Sequence, residues 1–193
     1  MTTRPADRFL YFAYGSNLHP ERLRERTPSA QVIGPAVLPG HELHFHKLGR
    51  DGSAKCDARQ TDDPRHVVHG VVYRIEERHR AELDRAESRG VGYDVRIVRL
   101  RTGSRQLQAW TYHARDAAIV SGLKPFDWYL DYVVAGARYH GLPRPYINAL
   151  MEVESRRDPV GWRDALNRTI LDRLSLLFAG SSTPAMVDAD LQD

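Results

Sequence analysis

A short loop, Tyr14-Gly15-Ser16-Asn17-Leu18, carries the first residues of the chain that could do chemistry. It ends the apolar and aromatic run that begins at Phe9, and a glycine there lets backbone N–H groups converge on a carboxylate or an oxyanion. Ser16 and Asn17 add side-chain donors. Pro20 opens a predicted helix whose positive end points to the same place. The pattern alone is more typical of a turn that simply caps a helix.

Glu87 is the second candidate for chemistry. The stretch from Glu76 to Glu87 is mostly charged and predicts a surface helix that packs through Leu83 and delivers Glu87 to a loop. A positioned carboxylate can accept a proton from one group and donate it to another. Taken alone, a glutamate at the end of a charged helix is usually a solvated acid, so its place in the chain assigns it no role.

Three segments together resemble one known family. The run FLYFAYGSNL, residues 9–18, resembles the signature strand and loop of the γ-glutamylcyclotransferase family, in the branch that carries Tyr-Gly-Ser-Asn. The segment LDRAE, residues 83–87, followed by GVGY, residues 90–93, is similar to the family segment that bears its catalytic glutamate before a strand. A third similarity covers Tyr129 and, behind it, Gly136-Ala137 and Gly141-Leu142-Pro143.

The three similarities are collinear from Phe9 to about Glu152. The predicted helix at Trp162 to Phe178 has no counterpart among them. The segment from Gly40 to Arg65 fits the family pattern loosely, and Asp94 to Arg101 is more charged than the family pattern. These departures leave the identity of the substrate open.

The resemblance implies ring closure within a γ-glutamyl amide: the α-amine attacks the γ-carbonyl carbon, which gives 5-oxoproline and a free amine. It implies that Glu87 takes the proton from the α-amine and then hands it to the leaving nitrogen, which requires neither a metal nor a covalent intermediate. The loop and the hydroxyl of Tyr129 are expected to bind the substrate oxygens, with Tyr112 a weaker candidate. The residues expected to bind substrate are Tyr11, Phe12, Ala13, Tyr14, Gly15, Ser16, Asn17, Tyr112 and Tyr129.

Other functions are consistent with the same residues. The chain could remove a γ-glutamyl group from a larger biosynthetic intermediate, or it could be a binding module for a small acid or a protein partner on the same fold. Tyr129 lies among Trp128, Tyr132 and Val133, so it is predicted equally well as a core aromatic residue.

Other kinds of site are less consistent with the sequence. Histidines at 44, 46, 66 and 69, with Asp62 and Asp63, are a conceivable metal site, although satisfied or solvated histidines are the more ordinary interpretation. Gly15-Ser16-Asn17 lacks the G-x-S-x-G spacing of a hydrolase nucleophile elbow. The glycines at 90 and 92 follow a helix and precede a strand, the wrong order for a phosphate-binding loop, so no nucleotide cofactor is expected.

Composition predicts a soluble, cytoplasmic protein that binds a small molecule. The 193 residues are 41% hydrophobic and 27% charged, which predicts a single domain over residues 1–180 and a flexible tail over 181–193. No apolar run approaches the roughly 18 residues that span a bilayer, and the first eight residues are polar.

The net charge of +3 is spread among interspersed charges, so no nucleic acid partner is expected. The single cysteine, Cys56, predicts a buried small residue. A homodimer is conceivable through an aromatic late helix.

The strands that must position these residues are short. Gln31 to Val37 and His41 to His46 predict a hairpin across Pro39-Gly40, and Tyr93 to Ile97 with Gln106 to His113 predict a second. His66 to Ile75 is dense in β-branched residues and predicts an inner strand.

Helices are predicted late in the chain, at Pro125 to His140 and at Pro145 to Glu152. A third, amphipathic helix is predicted to pack through Trp162, Leu166, Ile170, Leu174 and Leu177. The order predicts an α+β fold: a small, mixed but mostly antiparallel β-barrel of about six strands flanked by helices.

Overall fold

A computed structural model describes residues 7–61 and 63–180, and within these ranges the chain forms seven strands and five α-helices. The strands are β1 (Arg8–Ala13), β2 (Gln31–Pro39), β3 (His41–Leu48), β4 (Ala54–Gln60), β5 (Val67–Glu76), β6 (Tyr93–Thr102) and β7 (Arg105–Ala114). The helices are α1 (Pro20–Arg26), α2 (Arg80–Ala86), α3 (Asp127–Tyr139), α4 (Arg144–Met151) and α5 (Gly161–Gly180).

Five of the strands close into a barrel in the order β1-β5-β2-β6-β7. Most neighbours are antiparallel, and β7 closes the barrel by pairing parallel with β1 at Tyr11 and Trp110. The predicted α+β class and small barrel are confirmed. The barrel has five strands rather than about six, because β3 and β4 form a separate two-stranded sheet.

The predicted hairpin between β2 and β3 is wrong. Gly40, with φ of +68°, does turn the chain after β2, but β3 pairs with β4, from His41 opposite Gln60 to Leu48 opposite Ala54. Both edges of β2 are taken by β5 and β6 when the barrel closes, so β3 must find another partner. The predicted hairpin of β6 and β7 is confirmed, in register from Tyr93 opposite Ala114 to Thr102 opposite Arg105.

Helix α3 packs on the segment that follows the Tyr14 to Asn17 loop. A Cβ added at Gly136 would lie 2.4 Å from the Leu18 carbonyl carbon and 2.6 Å from the His19 backbone nitrogen. Both neighbours are backbone atoms, which cannot move aside as the end of a flexible side chain can. The absence of a side chain at Gly136 therefore sets how closely α3 approaches the loop.

We expect Gly136→Ala to destabilise the protein by about 1–3 kcal/mol, because overpacking against backbone outweighs the roughly 1 kcal/mol by which alanine favours a helix interior. Chemical denaturation measures the change. Gly161→Ala is the matched control, since a Cβ there meets nothing within 4 Å and should leave stability unchanged or slightly higher. Equal stability of Gly136→Ala and the unmodified protein would show that the approach is not tight.

Helix α5 is present, but its predicted packing face is wrong at its start. Trp162 is 71% exposed and Leu166 56% exposed, whereas Asn167 and Ile170 are buried. Each step of four residues turns about 40° beyond a full helical turn, so a stripe with four-residue spacing winds away from the contact face. The side chains of Leu174 and Leu177, and the predicted tail at 181–193, lie outside the described residues.

Across residues 7–61 and 63–180, no helix is long and apolar enough to cross a membrane.

Candidate active site

One cleft brings the Tyr14 to Asn17 loop and Glu87 together, although 70 residues separate Asn17 from Glu87 along the chain. The space between its walls is about 300 Å³ when open solvent is included, and the centre of a water-sized sphere can move through about 30 Å³ of it. Its walls are Tyr11, Tyr14, Gly15, Ser16, Asn17, Cys56, Glu87, Tyr93, Tyr112 and Tyr129.

The end of helix α2 fixes the position of Glu87. Leu83 is completely buried and anchors the short helix. Beyond Glu87, Ser88 adopts the left-handed conformation, with φ of +55°. The Ser88 N–H donates to the Arg85 carbonyl at 3.1 Å and the Arg89 N–H to the Asp84 carbonyl at 2.9 Å, the pair of bonds of a Schellman cap. Because serine rather than glycine occupies the left-handed position, the cap holds about 1 kcal/mol or more of backbone strain next to Glu87.

One oxygen of the Glu87 carboxylate is held by the protein and the other is not. Oε1 accepts hydrogen bonds from Asn17 Nδ2 at 2.8 Å and from Arg26 Nη1 at 3.0 Å. Within the part of the chain that the structure describes, Oε2 has no donor. The side chain is 16% exposed. The carboxylate is thus oriented through one oxygen, and the second is available to a ligand in the cleft.

The side chain of Asn17 is used entirely within the protein. Its Nδ2 group donates to Glu87 and, at 2.8 Å, to the hydroxyl of Tyr11, and its Oδ1 accepts from Arg26 at 2.7 Å. The expectation that this side chain donates to a ligand is therefore wrong, because both amide protons already have acceptors. Asn17 instead joins Tyr11, Arg26 and Glu87 in one network that positions the carboxylate.

The loop offers backbone donors. Among residues 7–61 and 63–180, the N–H groups of Gly15, Ser16 and Asn17 have no acceptor, as expected at the start of the short 3₁₀ turn Ser16–Leu18. Gly15 has a negative φ of −106°, which other residues also adopt. A glycine is needed here because there is little room for a side chain. A Cβ there would lie 3.1 Å from Cys56 Cβ and 3.3 Å from the Tyr129 hydroxyl, so it would be tight against two walls of the cleft.

Half-buried Arg22 connects the loop to the C-terminal helix. Its Nε donates to Ser16 Oγ at 3.2 Å and its Nη1 donates to Asn167 Oδ1 on α5 at 3.1 Å. The guanidinium also lies 4.3 Å from the centre of the Tyr132 ring. Burial lowers the pKa of Arg22 to about 10, so it stays charged near neutral pH. Helix α5, for which the sequence suggested no role, thus contacts the site through Asn167.

Most of the tyrosine hydroxyls around the cleft already have protein partners. Tyr14 donates to the Tyr112 carbonyl, Tyr93 donates to the Cys56 carbonyl at 2.7 Å, and Tyr112 donates to Asp84 Oδ1 at 2.7 Å. Tyr129 accepts from the Cys56 N–H at 3.0 Å. Burial raises the pKa of all four hydroxyls, so they remain neutral. Tyr112 is therefore a wall of the cleft whose hydroxyl proton is not available to a ligand.

This chain is similar to known proteins of one family. The family model described as "Gamma-glutamyl cyclotransferase, AIG2-like" matches residues 11–129. The chain belongs to this family. The mouse protein named "Gamma-glutamylcyclotransferase" is 30% identical over 149 residues, which are 76% of this chain and 79% of the mouse protein. The bovine protein of the same name is 28% identical over 157 residues, which are 80% of this chain and 83% of the bovine protein.

A solved structure titled "Gamma-glutamyl cyclotransferase" has the same fold as this chain. It aligns with a TM-score of 0.74 at 26% identity and covers 86% of this chain and 99% of that one. The chain is thus an enzyme of the γ-glutamyl cyclotransferase family, and the whole Glu87 network lies within the matched residues 11–129.

Two residues of the family signature do not line the cleft. Phe12 and Ala13 were expected to bind substrate, but both are completely buried. Successive side chains of a strand point to opposite faces, so Phe12 faces away from its neighbour Tyr11, and its ring closes on Gly70, where a Cβ would lie 2.6 Å from it. Ala13 is not among the residues that line the cleft.

Sequence reasoning missed Arg26, Cys56 and Tyr93. Arg26 ends helix α1 and reaches back to Asn17 and Glu87. Cys56 was predicted only as a buried small residue, which it is, but it also lines the cleft. Tyr93 belongs to a segment that resembles the family, so its place in that segment was the available signal.

The histidines at 44, 46, 66 and 69 do not line the cleft. His44 and His46 stack at 5.0 Å, and His46 Nε2 lies 2.9 Å from Asp57 Oδ2. Over the described ranges, which omit Asp62, no group of three or more His, Cys, Asp or Glu side chains is arranged to hold a metal ion.

Proposed function

We propose that this enzyme cyclises the γ-glutamyl group of γ-glutamyl amino acids or amines to 5-oxoproline and releases the free amine, with Glu87 as the proton carrier. The observation that carries the proposal is the half-held carboxylate: Oε1 is bound by Asn17 and Arg26, while Oε2 has no donor among the described residues. A base needs a fixed orientation and a free lone pair, and this arrangement supplies both.

The reaction begins when the Glu87 carboxylate takes a proton from the substrate α-ammonium group and frees its lone pair. The amine nitrogen then forms a bond to the γ-carbonyl carbon, and the carbonyl electrons move to oxygen. When the oxyanion collapses, the bond to the leaving nitrogen breaks and Glu87 returns its proton to that nitrogen. The ring nitrogen loses its second proton, which the released amine takes up as it becomes an ammonium group. No water is consumed, and the enzyme ends in its starting protonation state.

Nucleophile and electrophile belong to one molecule, so shape can supply much of the acceleration. The cleft is narrow and its walls are largely aromatic, which restricts a bound glutamyl group to few conformations. Holding the α-amine against the γ-carbonyl gives effective molarities of about 10⁵ to 10⁸ M in well-oriented intramolecular reactions. The aromatic walls of the cleft can hold the substrate in this folded conformation.

The substrate oxygens need donors, and the cleft has several. The unpaired N–H groups of Gly15, Ser16 and Asn17 are oriented by the protein before substrate arrives, which suits an α-carboxylate or a developing oxyanion. The Tyr11 hydroxyl accepts from Asn17 and donates to no described residue, so its proton is available. We assign the Tyr129 hydroxyl to substrate binding because it faces Gly15 across the cleft.

The direction of Glu87 supports an enzyme over a binding module. A module would have no need to turn this carboxylate away from solvent, whereas here it contacts Asn17 of the loop at 2.8 Å. A carboxylate aimed into an anion-binding loop would also weaken the binding of a small acid through like-charge repulsion.

Incubation with γ-glutamyl-alanine tests the proposal. We expect 5-oxoproline and alanine in equal amounts, measured by mass spectrometry. α-Glutamyl-alanine is the matched control substrate, because its α-amine cannot form the five-membered ring by attack on an amide carbonyl at the γ position. Release of glutamate instead of 5-oxoproline would show hydrolysis, and no reaction with any γ-glutamyl compound would favour a binding module.

A further inference from the structure

Lys47 on β3 is a buried cation beside the cleft. The residue is 5% exposed. Its ammonium group lies 4.5 Å from the centre of the ring of Tyr93, which lines the cleft. It also packs against Gly92, where an added Cβ would lie 2.6 Å from Nζ. Gly92 and Tyr93 belong to the turn that follows Glu87, so Lys47 is next to the segment that carries the carboxylate.

The Lys47 ammonium has no anionic partner of its own. Within residues 7–61 and 63–180, no carboxylate lies within 4.0 Å of it and no hydrogen-bond acceptor faces it. Burial lowers the pKa of Lys47, and the charge of Glu87 opposes that shift. Lys47 Nζ is not among the fully enclosed polar atoms that lack a partner, so it can still be reached from outside the protein, and a ring face satisfies only part of its charge. Such a group is suited to an anion that arrives with a ligand.

A γ-glutamyl amino acid brings two carboxylates to Glu87. One is the α-carboxylate of the glutamyl half, and the other belongs to the amino acid that leaves, one carbon from the nitrogen that Glu87 must protonate. The loop amides of Gly15 to Asn17 can take the first. The loop amides approach Glu87 from the side of Asn17. Lys47 contacts Gly92 and Tyr93, which follow Glu87 in the chain. Lys47 is therefore a second donor, available to the second carboxylate.

We propose that Lys47 binds the carboxylate of the leaving amino acid and makes the enzyme selective for γ-glutamyl amino acids over γ-glutamyl amines. This inference rests on the proposed cyclotransferase activity. It predicts that the positive charge of Lys47 speeds the turnover of γ-glutamyl amino acids far more than that of γ-glutamyl amines, because its coupling to Glu87 is common to both.

Two substrates that differ only by that carboxylate test the selectivity of the unmodified enzyme. γ-Glutamyl-ethylamide is γ-glutamyl-alanine without the carboxylate. We expect kcat/KM to be about 10- to 100-fold higher for γ-glutamyl-alanine, the range of one charge-assisted hydrogen bond. Equal kcat/KM for the two would overturn the role of Lys47 but leave the activity standing. No turnover of either would overturn the activity itself, and this inference with it.

The Lys47→Met variant assigns the preference to one residue. We expect kcat/KM for γ-glutamyl-alanine to fall about 10- to 100-fold and that for γ-glutamyl-ethylamide to change less than about 2-fold. Lys124→Met is the matched control, since Lys124 is 43% exposed and pairs with Glu154. An equal loss for both substrates would mean that Lys47 serves the glutamyl half or the fold, and would overturn the proposal.

Discussion

Glu87→Gln is expected to slow the release of 5-oxoproline by about 10²- to 10⁴-fold, the usual contribution of a positioned acid or base. Glutamine has the same shape, and its side-chain oxygen can still accept from Asn17 and Arg26, so the fold should be preserved. An amide can neither take the proton from the α-amine nor return it to the leaving nitrogen. The measurement is kcat with γ-glutamyl-alanine, with the melting temperature recorded alongside.

Glu82→Gln is the matched control for this variant. Glu82 stands on the same helix, is 42% exposed and pairs with Arg85, so its loss should leave kcat unchanged. If Glu87→Gln turned over γ-glutamyl-alanine at the rate of the unmodified enzyme, Glu87 would not carry the proton. Another group in the cleft would then have to be sought.

Asn17→Ala is expected to lower kcat by about 10²-fold, with a smaller change in KM. The variant removes the donor to Oε1 of Glu87 and the acceptor for Arg26, so the carboxylate is held from one side only. A displacement of a catalytic group by about 1 Å can cost 10²-fold in rate. Steady-state kinetics with γ-glutamyl-alanine separate kcat from KM.

Exposed Asn148 on α4 provides the control for the Asn17 variant, and Asn148→Ala should behave as the unmodified enzyme. The test is which of the two constants, kcat or KM, changes in the Asn17→Ala variant. A rise in KM at unchanged kcat would show that the Asn17 side chain contacts the substrate instead of positioning Glu87, contrary to its hydrogen bonds.

The sequence predicted the two halves of the site because each is a local pattern. Tyr14 to Asn17 follows a strand, and Glu87 ends a helix that has one clear anchor in Leu83. That they meet could be inferred only from the family resemblance. Arg26 was not predicted, since an arginine at the end of a short charged helix looks like any solvated cation until the fold brings Glu87 within 3.0 Å.

Sequence reasoning fails where an element's partners are set by distant parts of the chain, as when the barrel closes. Gly40 does form a turn, and nothing local in its neighbours reveals that β2 already has two partners. The face of α5 fails for a similar reason, because Asn167 is buried by its bond to Arg22, not by any apolar spacing. Patterns of apolar residues describe elements well and describe polar contacts between distant elements poorly.

The separate β3–β4 sheet has a consequence for how the substrate range can change. It supplies Cys56 to the cleft and Lys47 beside it, yet among the residues that the structure describes it shares no strand pairing with the barrel that fixes Tyr11. Apart from buried Asp57, whose Oδ1 accepts from the Ala114 N–H on β7, substitutions in His41–Leu48 and Ala54–Gln60 can therefore accumulate without breaking the barrel's closed ladder. Laboratory evolution of new leaving-group preferences should target these two strands and leave the proton-transfer network unchanged.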